Sequence, residues 1–348
     1  MDTVNNYRVL EHKAAGHDGT LTDGDGLLIF KPALPQEMEF YKAIQARGMN
    51  QKESLSGRDA PLCSWMPTYL GILDEGTKVE KSDKSKFLQI DKRLSDSTDN
   101  LGSSQVQSEK GKQYLVLENL LHGFSKPNVL DIKLGKVLYD SKASLEKKER
   151  LKRVSETTTS GSLSFRICGM KIQKNPAIIK RLSPEYYEEE AGTDYVFINK
   201  LYGRSRTNQN VLDALELYFN NAHLSDARKH QLKKTFLKRL QLFYNTLLEE
   251  EVQMISSSLL FIFEGDPSRW DSLNDVDRLM RDDFIDDEEE EDGTDLVNTS
   301  GELEDRVANY LSSMSLIDFA HAEVTPGKGY DENVIEGVEN LLDIFMKF

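Results

Sequence analysis

The chain has 348 residues, enough for two domains or lobes with a sizeable core. Its formal charge of −15 argues against a nucleic-acid partner, because like charges repel. The two cysteines give neither a disulfide framework nor a metal-ligand spacing, which is typical of a reducing compartment. We find no signal-peptide pattern and no apolar run of membrane-spanning length, so the sequence predicts a cytosolic or nuclear protein.

The acidic charge is concentrated in one run. Between Asp282 and Asp295 the sequence holds ten acidic residues and no Lys or Arg. Without this run the charge changes from −15 to −5, so the rest of the surface can hold basic patches. Residues 280–302 are too charged to pack, which predicts a disordered loop. Residues 80–112 are rich in Ser, Lys, Asp, Gln and Gly, which predicts a flexible insertion.

The first third of the chain predicts strands around one helix. Residues 27–30 read as a buried strand that ends at Lys31, either a lysine at a sheet edge or a phosphate-binding lysine. A helix is predicted from Gln36 to Gln45, ended by Gly48. The apolar run at 113–121 ends in Glu118 and Asn119, as expected for a hinge between two lobes.

The segment from Pro127 to Gly135, P-N-V-L-D-I-K-L-G, is predicted to be a strand bounded by turn residues. Because side chains alternate along a strand, Asp131 and Lys133 project from one face. A solvated ion pair on a surface strand is the alternative interpretation.

A basic helix is predicted directly after this strand, at residues 140–154, with Asp140 or Ser141 as its cap. It carries six cations and two glutamates, which favours binding of a small polyanion. Further on, residues 315–322 are predicted to place Asp318 and His321 at the end of a short strand. The remaining predicted elements are strands at 68–73, 163–172, 194–201 and 256–266 and helices at 208–221, 226–250 and 334–348.

Phosphoryl transfer is the chemistry that these charges fit. It needs a lysine on the nucleotide phosphates, an acid on Mg²⁺ and a group that orients the attacking hydroxyl. Lys31, Asp318 and the pair on 127–135 supply those residue types. The sequence has no P-loop, no G-x-G-x-x-G and no H-R-D loop, which removes support for the common nucleotide-binding motifs.

Three motifs give a resemblance to a known family. They are P-N-V-L-D-I-K-L-G at 127–135, S-S-S-L-L-F-I-F-E at 256–264 and I-D-F-A-H-A at 317–322, with F-R-I-C-G-M at 165–170 as a fourth. The first matches the P-x-x-x-D-x-K-x-G signature of the inositol polyphosphate kinases. The chain resembles that family from about Leu27 to its last residue, and most of all the fungal multikinases within it.

The resemblance implies an α+β fold of two lobes, distantly similar to protein kinases, with ATP in the cleft. Residues 1–120 would form the N-lobe and 121–348 the C-lobe. The segment 140–166 would bind the inositol phosphate. It is short here, which implies an open site that accepts several substrates.

The resemblance also implies roles for individual residues. Lys31 would bind the α- and β-phosphates of ATP, the backbone of Glu118 and Leu120 would pair with adenine, and Asp318 would bind Mg²⁺. Asp131 would act either as a base on the inositol hydroxyl or as a ligand of the nucleotide ribose. Lys133 would bridge a substrate phosphate and the γ-phosphate. Substrate contacts are further expected from Lys147, Lys171 and His321, and a hydroxyl from Ser256, Ser257 or Ser258.

The function expected from this resemblance is ATP- and Mg²⁺-dependent phosphorylation of inositol 1,4,5-trisphosphate to tetrakis- and pentakisphosphates. One alternative is a nuclear scaffold whose acidic run at 282–295 docks basic proteins. Another is a kinase for phosphoinositide head groups. The resemblance favours the nucleus over the cytoplasm.

Overall fold

The computed structural model describes residues 8–9, 19–52, 60–74, 113–281, 284 and 310–348. The predicted insertion at 80–112 and nearly all of the predicted loop at 280–302 lie outside these residues. Two antiparallel sheets form the framework, and residue 120 falls between them in the sequence. Among the described residues no helix is long and apolar enough to cross a membrane.

The first sheet has five strands in the order β1-β2-β3-β5-β4. Their bounds are Arg8–Val9 (β1), Leu21–Thr22 (β2), Leu28–Pro32 (β3), Tyr69–Asp74 (β4) and Gln113–Glu118 (β5). Helix α1 (Pro35–Lys52) follows β3, and a 3-10 helix (Leu62–Trp65) precedes β4. In the register of β3 with β5, Lys31 lies opposite Leu115 and Leu28 opposite Glu118. Lys31 and the predicted hinge therefore belong to neighbouring strands.

Gly48 does not end α1, so that sequence prediction is wrong. The helix continues to Lys52. A Cβ atom at Gly48 would lie 2.1 Å from Cys63 Sγ. The glycine therefore serves the close approach of the 3-10 helix to α1 and not a helix end.

The second sheet has six strands in the order β12-β11-β6-β7-β9-β8. Their bounds are Pro127–Leu134 (β6), Phe165–Gln173 (β7), Tyr187–Glu189 (β8), Tyr195–Ile198 (β9), Ser258–Glu264 (β11) and Ser312–Ile317 (β12). A two-stranded sheet joins β10 (Val252–Met254) to β13 (Ala322–Val324). Strand β6, which carries the predicted D-x-K pair, lies inside the six-stranded sheet and has a strand on each side.

The remaining helices follow β6 in the chain. They are α2 (Leu145–Glu156), α3 (Thr159–Leu163), α4 (Pro176–Ile179), α5 (Lys200–Arg204), α6 (Val211–Phe219), α7 (Asp226–Glu249), α8 (Pro267–Ser272) and α9 (Glu332–Phe345), with a second 3-10 helix at Pro184–Tyr186. The apolar stripe predicted for the longest helix is buried in α7: Leu232, Phe236, Leu240, Phe243 and Leu247. The three-and-four spacing therefore identified the face that packs into the core.

The basic helix begins later than the sequence predicts. Ser144 caps α2 by accepting a hydrogen bond from the Lys147 backbone amide at 3.2 Å, so the predicted cap at Asp140 or Ser141 is wrong. Asp140 instead lies 2.7 Å from His321 Nδ1. The long-range partner of Asp140 explains why a local capping pattern misplaced the helix start.

One hydrophobic core joins the two sheets. It runs from Phe40, Tyr41 and Trp65 beside the first sheet into the residues of α7 and the second sheet. The Trp65 ring packs edge-on against Phe243, with ring centroids 5.2 Å apart, and its Nε1 donates to Thr246 Oγ1 at 3.1 Å. Burial of such large apolar surfaces is the dominant stabilising contribution, so the 3-10 helix before β4 is firmly fixed to α7.

Candidate active site

The base of the site is one face of β6. Asp131 and Lys133 are two residues apart on this strand, which places both side chains on the same face. Across the sheet Lys133 is paired with Ser258 of β11 and with Arg166 of β7. The register with β7 shifts between Asp131 and Ile132, so Cys168 has no opposite residue. Such a bulge locally changes the direction of side chains, as is common near active sites.

The Asp131 carboxyl is buried, with 4% of the residue exposed. Its Oδ1 accepts no hydrogen bond from the part of the chain that the structure describes. Burial raises the pKa of Asp131 to about 6, because the charged form loses its hydration; the charge of Lys133 and the Ser258 hydroxyl act in the opposite direction. This carboxyl is therefore more basic than an ordinary aspartate, and its buried Oδ1 is an acceptor that the described residues leave unused.

The Lys133 ammonium group is held by the backbone at Ser256. Its Nζ donates to the backbone carbonyl of Ser256 at 2.6 Å. Ser256 has a positive φ of 64° and its hydroxyl donates to the Leu138 carbonyl at 3.1 Å. Of the three candidate serines, Ser258 is the one that influences the Asp131 carboxyl, whereas Ser256 holds Lys133 through its carbonyl.

A second cluster of charges joins Lys31 of β3, Glu37 of α1 and Asp318, which follows β12. Lys31 Nζ donates to Glu37 Oε1 and to Asp318 Oδ1, both at 2.8 Å. Burial alone would lower the pKa of Lys31, but the charges of Asp318 and Glu37 raise it above its ordinary value. Glu37 is fully buried, and its Oε1 also accepts from the Phe319 amide at 3.2 Å. Lys31 is thus a charged cation held by two carboxylates.

Asp318 lies in the turn after β12 with a φ of 65°, a left-handed conformation that is unusual for a residue with a side chain. Its charge contributes to the raised pKa of Asp131. Backbone strain of this kind is concentrated at functional sites. The turn directs the carboxylate at Lys31 and leaves its side chain 20% exposed.

The connection between the two sheets forms the third wall. Glu118 ends β5, and Asn119 then turns the chain: its Oδ1 accepts from the Leu121 amide at 3.1 Å and its carbonyl from the His122 amide at 2.9 Å. A separate apolar cluster lies here. It contains Leu120, Leu121, Phe124, Val129, Leu260, Ile262 and Ile317. An apolar surface of this kind suits a flat heteroaromatic ring.

Comparison with known proteins decides the family. The inositol polyphosphate kinase family model matches residues 114–346. The chain is 76% identical to the inositol polyphosphate multikinase of Saccharomyces cerevisiae over 355 residues, with 100% of both chains covered. The chain belongs to the inositol polyphosphate kinase family. It is also 28% identical to the multikinase of Schizosaccharomyces pombe, covering 97% of this chain and 96% of that one.

A solved structure confirms the fold of this inositol polyphosphate kinase. It is the crystal structure of the S. cerevisiae inositol phosphate multikinase in complex with ADP and Mn²⁺, with a TM-score of 0.72 and 67% identity. The match covers 93% of this chain and 99% of the other. The predicted mixed, protein-kinase-like fold is therefore correct.

A metal ion in this site would be held by few carboxylates of the described residues. Within the described residues no group of three or more His, Cys, Asp or Glu side chains could bind one. Mg²⁺ is commonly held by one or two carboxylates together with substrate phosphates, because it keeps part of its hydration shell. Asp318, with its partly exposed carboxylate, fits that arrangement.

The three residues predicted to contact the substrate, Lys147, Lys171 and His321, differ in their burial and in their partners. Lys147 is half-buried on α2. His321 is paired with Asp140, and its charge and hydrogen bond lower the pKa of Asp140 although burial opposes this. Lys171 is 4% exposed, lies 3.0 Å from Glu190 Oε1 and is 5.4 Å from the centre of the Tyr195 ring. The structure therefore gives Lys171 a protein partner where a substrate phosphate was predicted.

Two residues of the candidate site, Glu37 and Arg166, were not predicted from the sequence to be functional. Glu37 was hidden in the predicted first turn of a helix, where an acid is ordinary because it favours the helix dipole. Arg166 stands in the motif at 165–170 with no role predicted for it, and it lies directly across from Lys133 and donates to Ser160 Oγ at 2.8 Å. The available signal was its position between the apolar residues Phe165 and Ile167, which places the Arg166 side chain on the opposite face of the strand.

Proposed function

We propose that this kinase is an ATP- and Mg²⁺-dependent inositol polyphosphate multikinase that phosphorylates inositol 1,4,5-trisphosphate successively to tetrakis- and pentakisphosphates. The supporting observation is the convergence of Lys31 and Asp318, 287 residues apart in sequence, beside the Asp131 carboxyl. The similar S. cerevisiae protein carries the multikinase name, and its crystal structure contains ADP and Mn²⁺.

The nucleotide is held by residues of both sheets. Lys31 binds the α- and β-phosphates, and Glu37 keeps its ammonium group in place when Asp318 turns to the metal. The backbone of Glu118 and Leu120 pairs with adenine, whose ring lies on the apolar cluster. Mg²⁺ bound at Asp318 supplies positive charge that neutralises the phosphates during transfer.

Asp131 and Lys133 act on the transferred group. A carboxyl with a pKa near 6 retains basicity that an ordinary aspartate lacks, which suits a general base for the inositol hydroxyl. The same free oxygen also suits hydrogen bonding to the ribose, so both roles remain in the proposal. Lys133 lies two residues further on the same face and stabilises negative charge as it develops on the γ-phosphate.

The inositol phosphate enters from the side of α2. This helix and the loop before it carry a group of cations: Lys142, Lys147, Lys148, Arg150, Lys152 and Arg153. Arg166 continues the positive surface to Lys133, because the two are paired across neighbouring strands. With only α2 and α3 between Asp140 and Arg166, the site encloses its substrate on few sides, which supports acceptance of several inositol phosphates.

Two substitutions test this function. Asp131→Asn and Asp318→Asn retain shape, and Asn tolerates the left-handed conformation at position 318. We expect each to reduce turnover of inositol trisphosphate by roughly a hundredfold or more, the usual effect of losing a group that acts in the transition state. Asp271→Asn, an exposed acid paired with Arg228, is the matched control. Turnover within about threefold of wild type in both site variants would refute the proposal.

The acidic run supports a separate, non-catalytic proposal. A segment with ten acidic residues between Asp282 and Asp295 is suited to bind basic nuclear proteins, and we place the kinase in the nucleus, the cytoplasm or both. Such binding would weaken with salt, because exposed charges are screened.

A further inference from the structure

The side chain of Glu118, as distinct from its backbone, is bound by residues of both lobes. The carboxylate is almost buried, with 9% of the side chain exposed. Its Oε2 accepts from the Thr68 amide and from Thr68 Oγ1, both at 3.0 Å. Its Oε1 accepts from Arg281 Nη1. Both carboxylate oxygens are therefore in use before any ligand binds.

Arg281 joins the C-lobe to two segments of the N-lobe. Besides Glu118 it contacts the Met66 carbonyl, to which Nη2 donates at 2.9 Å. Its side chain is 9% exposed. The planar guanidinium matches two acceptors at fixed angles, which a lysine ammonium does less well. Arg281 thus fixes the end of β5 and the loop before β4 together.

The segment that carries Arg281 is itself anchored in the core. Arg239 of α7 is 1% exposed. It donates from Nε to the Leu279 carbonyl at 2.7 Å and from Nη2 to the Arg278 carbonyl at 2.6 Å. Asp277 accepts from the amides of Leu311 and Ser312 at 3.0 and 2.9 Å. Arg281 is therefore connected to a rigid helix through three or fewer residues of backbone.

Thr68 and Arg281 together form a clamp on the Glu118 carboxylate. The clamp holds the chain one residue before the turn at Asn119. Glu118 is the last residue of β5; its amide donates to the Thr68 carbonyl at 3.0 Å, and the Asn119 amide donates to the Leu27 carbonyl at 2.9 Å. A displacement of the Glu118 side chain would move the backbone that follows it. Lys133 and Arg166 belong to β6 and β7, where they donate to the Ser256 carbonyl and to Ser160 Oγ, groups that are not part of the clamp.

We infer that Arg281 is a positioning residue for ATP: with Thr68 it holds the Glu118 carboxylate and so fixes the hinge backbone against which adenine binds. This rests on the proposed nucleotide site. Its consequence is selective, because the inositol phosphate site is built from other elements. Loss of the clamp weakens nucleotide binding and leaves the affinity for inositol phosphate unchanged.

Three variants of graded severity test the inference. Thr68→Val removes one donor and keeps the shape of the side chain and the backbone amide. Arg281→Lys keeps the charge but not the double contact, and Arg281→Gln removes the charge. Arg228→Gln, at an ion-paired arginine whose partners are Asp271 and Asp275, is the matched control.

The measurements are the KM for ATP, the KM for inositol trisphosphate, and the Kd for ADP by calorimetry. We expect the KM for ATP and the Kd for ADP to rise about threefold in Thr68→Val and roughly tenfold in Arg281→Gln, with Arg281→Lys between them, as expected for loss of buried charge-assisted hydrogen bonds. The KM for inositol trisphosphate and all values for Arg228→Gln should stay within about twofold of wild type.

Three results would overturn the inference. They are an unchanged Kd for ADP in Thr68→Val and Arg281→Lys, an equal rise in both KM values, and the same effect in Arg228→Gln. If Arg281→Gln does not fold, the two milder variants decide the question. Failure of the proposed function itself is distinct, because wild-type protein would then neither bind ADP nor phosphorylate inositol trisphosphate.

Discussion

At Asp131, burial disfavours the ionised carboxylate, whereas the proposed role as a base requires it. The folded-state pKa of about 6 exceeds the ordinary value of 3.8, so the folded protein binds more protons than the unfolded chain between these values. Stability from this group is therefore greatest below pH 4 and falls as the pH rises to about 6. At neutral pH the ionised carboxylate destabilises the fold, and this ionised form is the one that the proposed role as a base requires.

We therefore expect Asp131→Asn to stabilise the nucleotide-free kinase at pH 7.5 by on the order of 2 kcal/mol while its turnover falls. The stability gain should shrink at pH 4.5, where wild-type Asp131 is already protonated. Urea unfolding at both pH values measures this difference, since the other titrating groups cancel between the two proteins. A variant that is destabilised equally at both values would show that desolvation of Asp131 is unimportant.

Substitution of Glu37 should impair binding of ATP and leave binding of the inositol phosphate unchanged. In Glu37→Gln the Lys31 ammonium loses one of two neutralising carboxylates but keeps a hydrogen-bonding neighbour. We expect the KM for ATP to rise about tenfold and the KM for inositol trisphosphate to stay constant, because Lys31 would be less well positioned on the phosphates.

Steady-state kinetics with each substrate varied in turn checks this expectation. Glu39→Gln is the control, since Glu39 lies exposed on the same helix. Equal behaviour of the two variants would contradict a role for Glu37 beside Lys31.

The sequence predicts some of these residues and not others, for a physical reason. The shared face of Asp131 and Lys133 follows from strand alternation alone, and both lie on one strand in the structure. Glu37 meets Asp318 across 281 residues through Lys31, and Arg281 meets Glu118 across 163. Such partners depend on how elements pack, which no local pattern contains.

At the scale of elements, the end of β6 depends on α9. Gly135 has a φ of 93°, and a Cβ atom there would lie 2.4 Å from Asn333 Nδ2. Asn333 Oδ1 accepts from the Lys136 and Val137 amides, both at 2.8 Å. Helix α9 therefore holds the loop that leaves β6.

Gly135→Ala should be more destabilising than the same change at a glycine in open space. Gly192 has a φ of 78° and nothing within 4 Å of its virtual Cβ, so Gly192→Ala measures backbone strain alone. We expect strain to cost each variant about 1–2 kcal/mol, and the clash with Asn333 to add at least about 1 kcal/mol at position 135. Chemical denaturation gives both values. Equal destabilisation would mean that Asn333 moves aside freely.

Element types were predictable here and their boundaries less so. The long helices α7 and α9 appear where apolar periodicity indicates them, because such patterns average over several turns. The predicted start of α2 and the predicted end of α1 were wrong. In both cases a tertiary contact, Asp140 with His321 or Gly48 with Cys63, uses the residue that local rules assign to a cap.

At the scale of the molecule, the continuous core constrains how the lobes move. Trp65 is 1% exposed and is bonded to α7, and Arg281 joins the hinge to the same helix through Arg239. Separation of the two sheets would expose this core surface. We expect nucleotide binding to adjust the Lys31–Asp318 contact locally more than to close two independent lobes.

The acidic run should be dispensable for catalysis. Replacing residues 282–295 with a Gly/Ser linker of equal length removes ten negative charges and leaves Arg281 in place. We expect turnover to stay within about threefold of wild type, while any binding of basic proteins is lost or becomes insensitive to salt. Parallel kinase and pull-down assays at two salt concentrations measure this. Loss of turnover in the replacement would assign the run a catalytic role.

We propose that the kinase transfers phosphoryl groups to more than one inositol hydroxyl. The site of transfer is formed by Lys31, Asp131, Lys133 and Asp318. The most direct test of this proposal is anion-exchange chromatography of the products after incubation of wild-type protein with inositol 1,4,5-trisphosphate and Mg-ATP. We expect tetrakisphosphate first and pentakisphosphate later, with neither formed by Asp318→Asn. Recovery of unchanged trisphosphate from wild type, or equal product from Asp318→Asn, would contradict it.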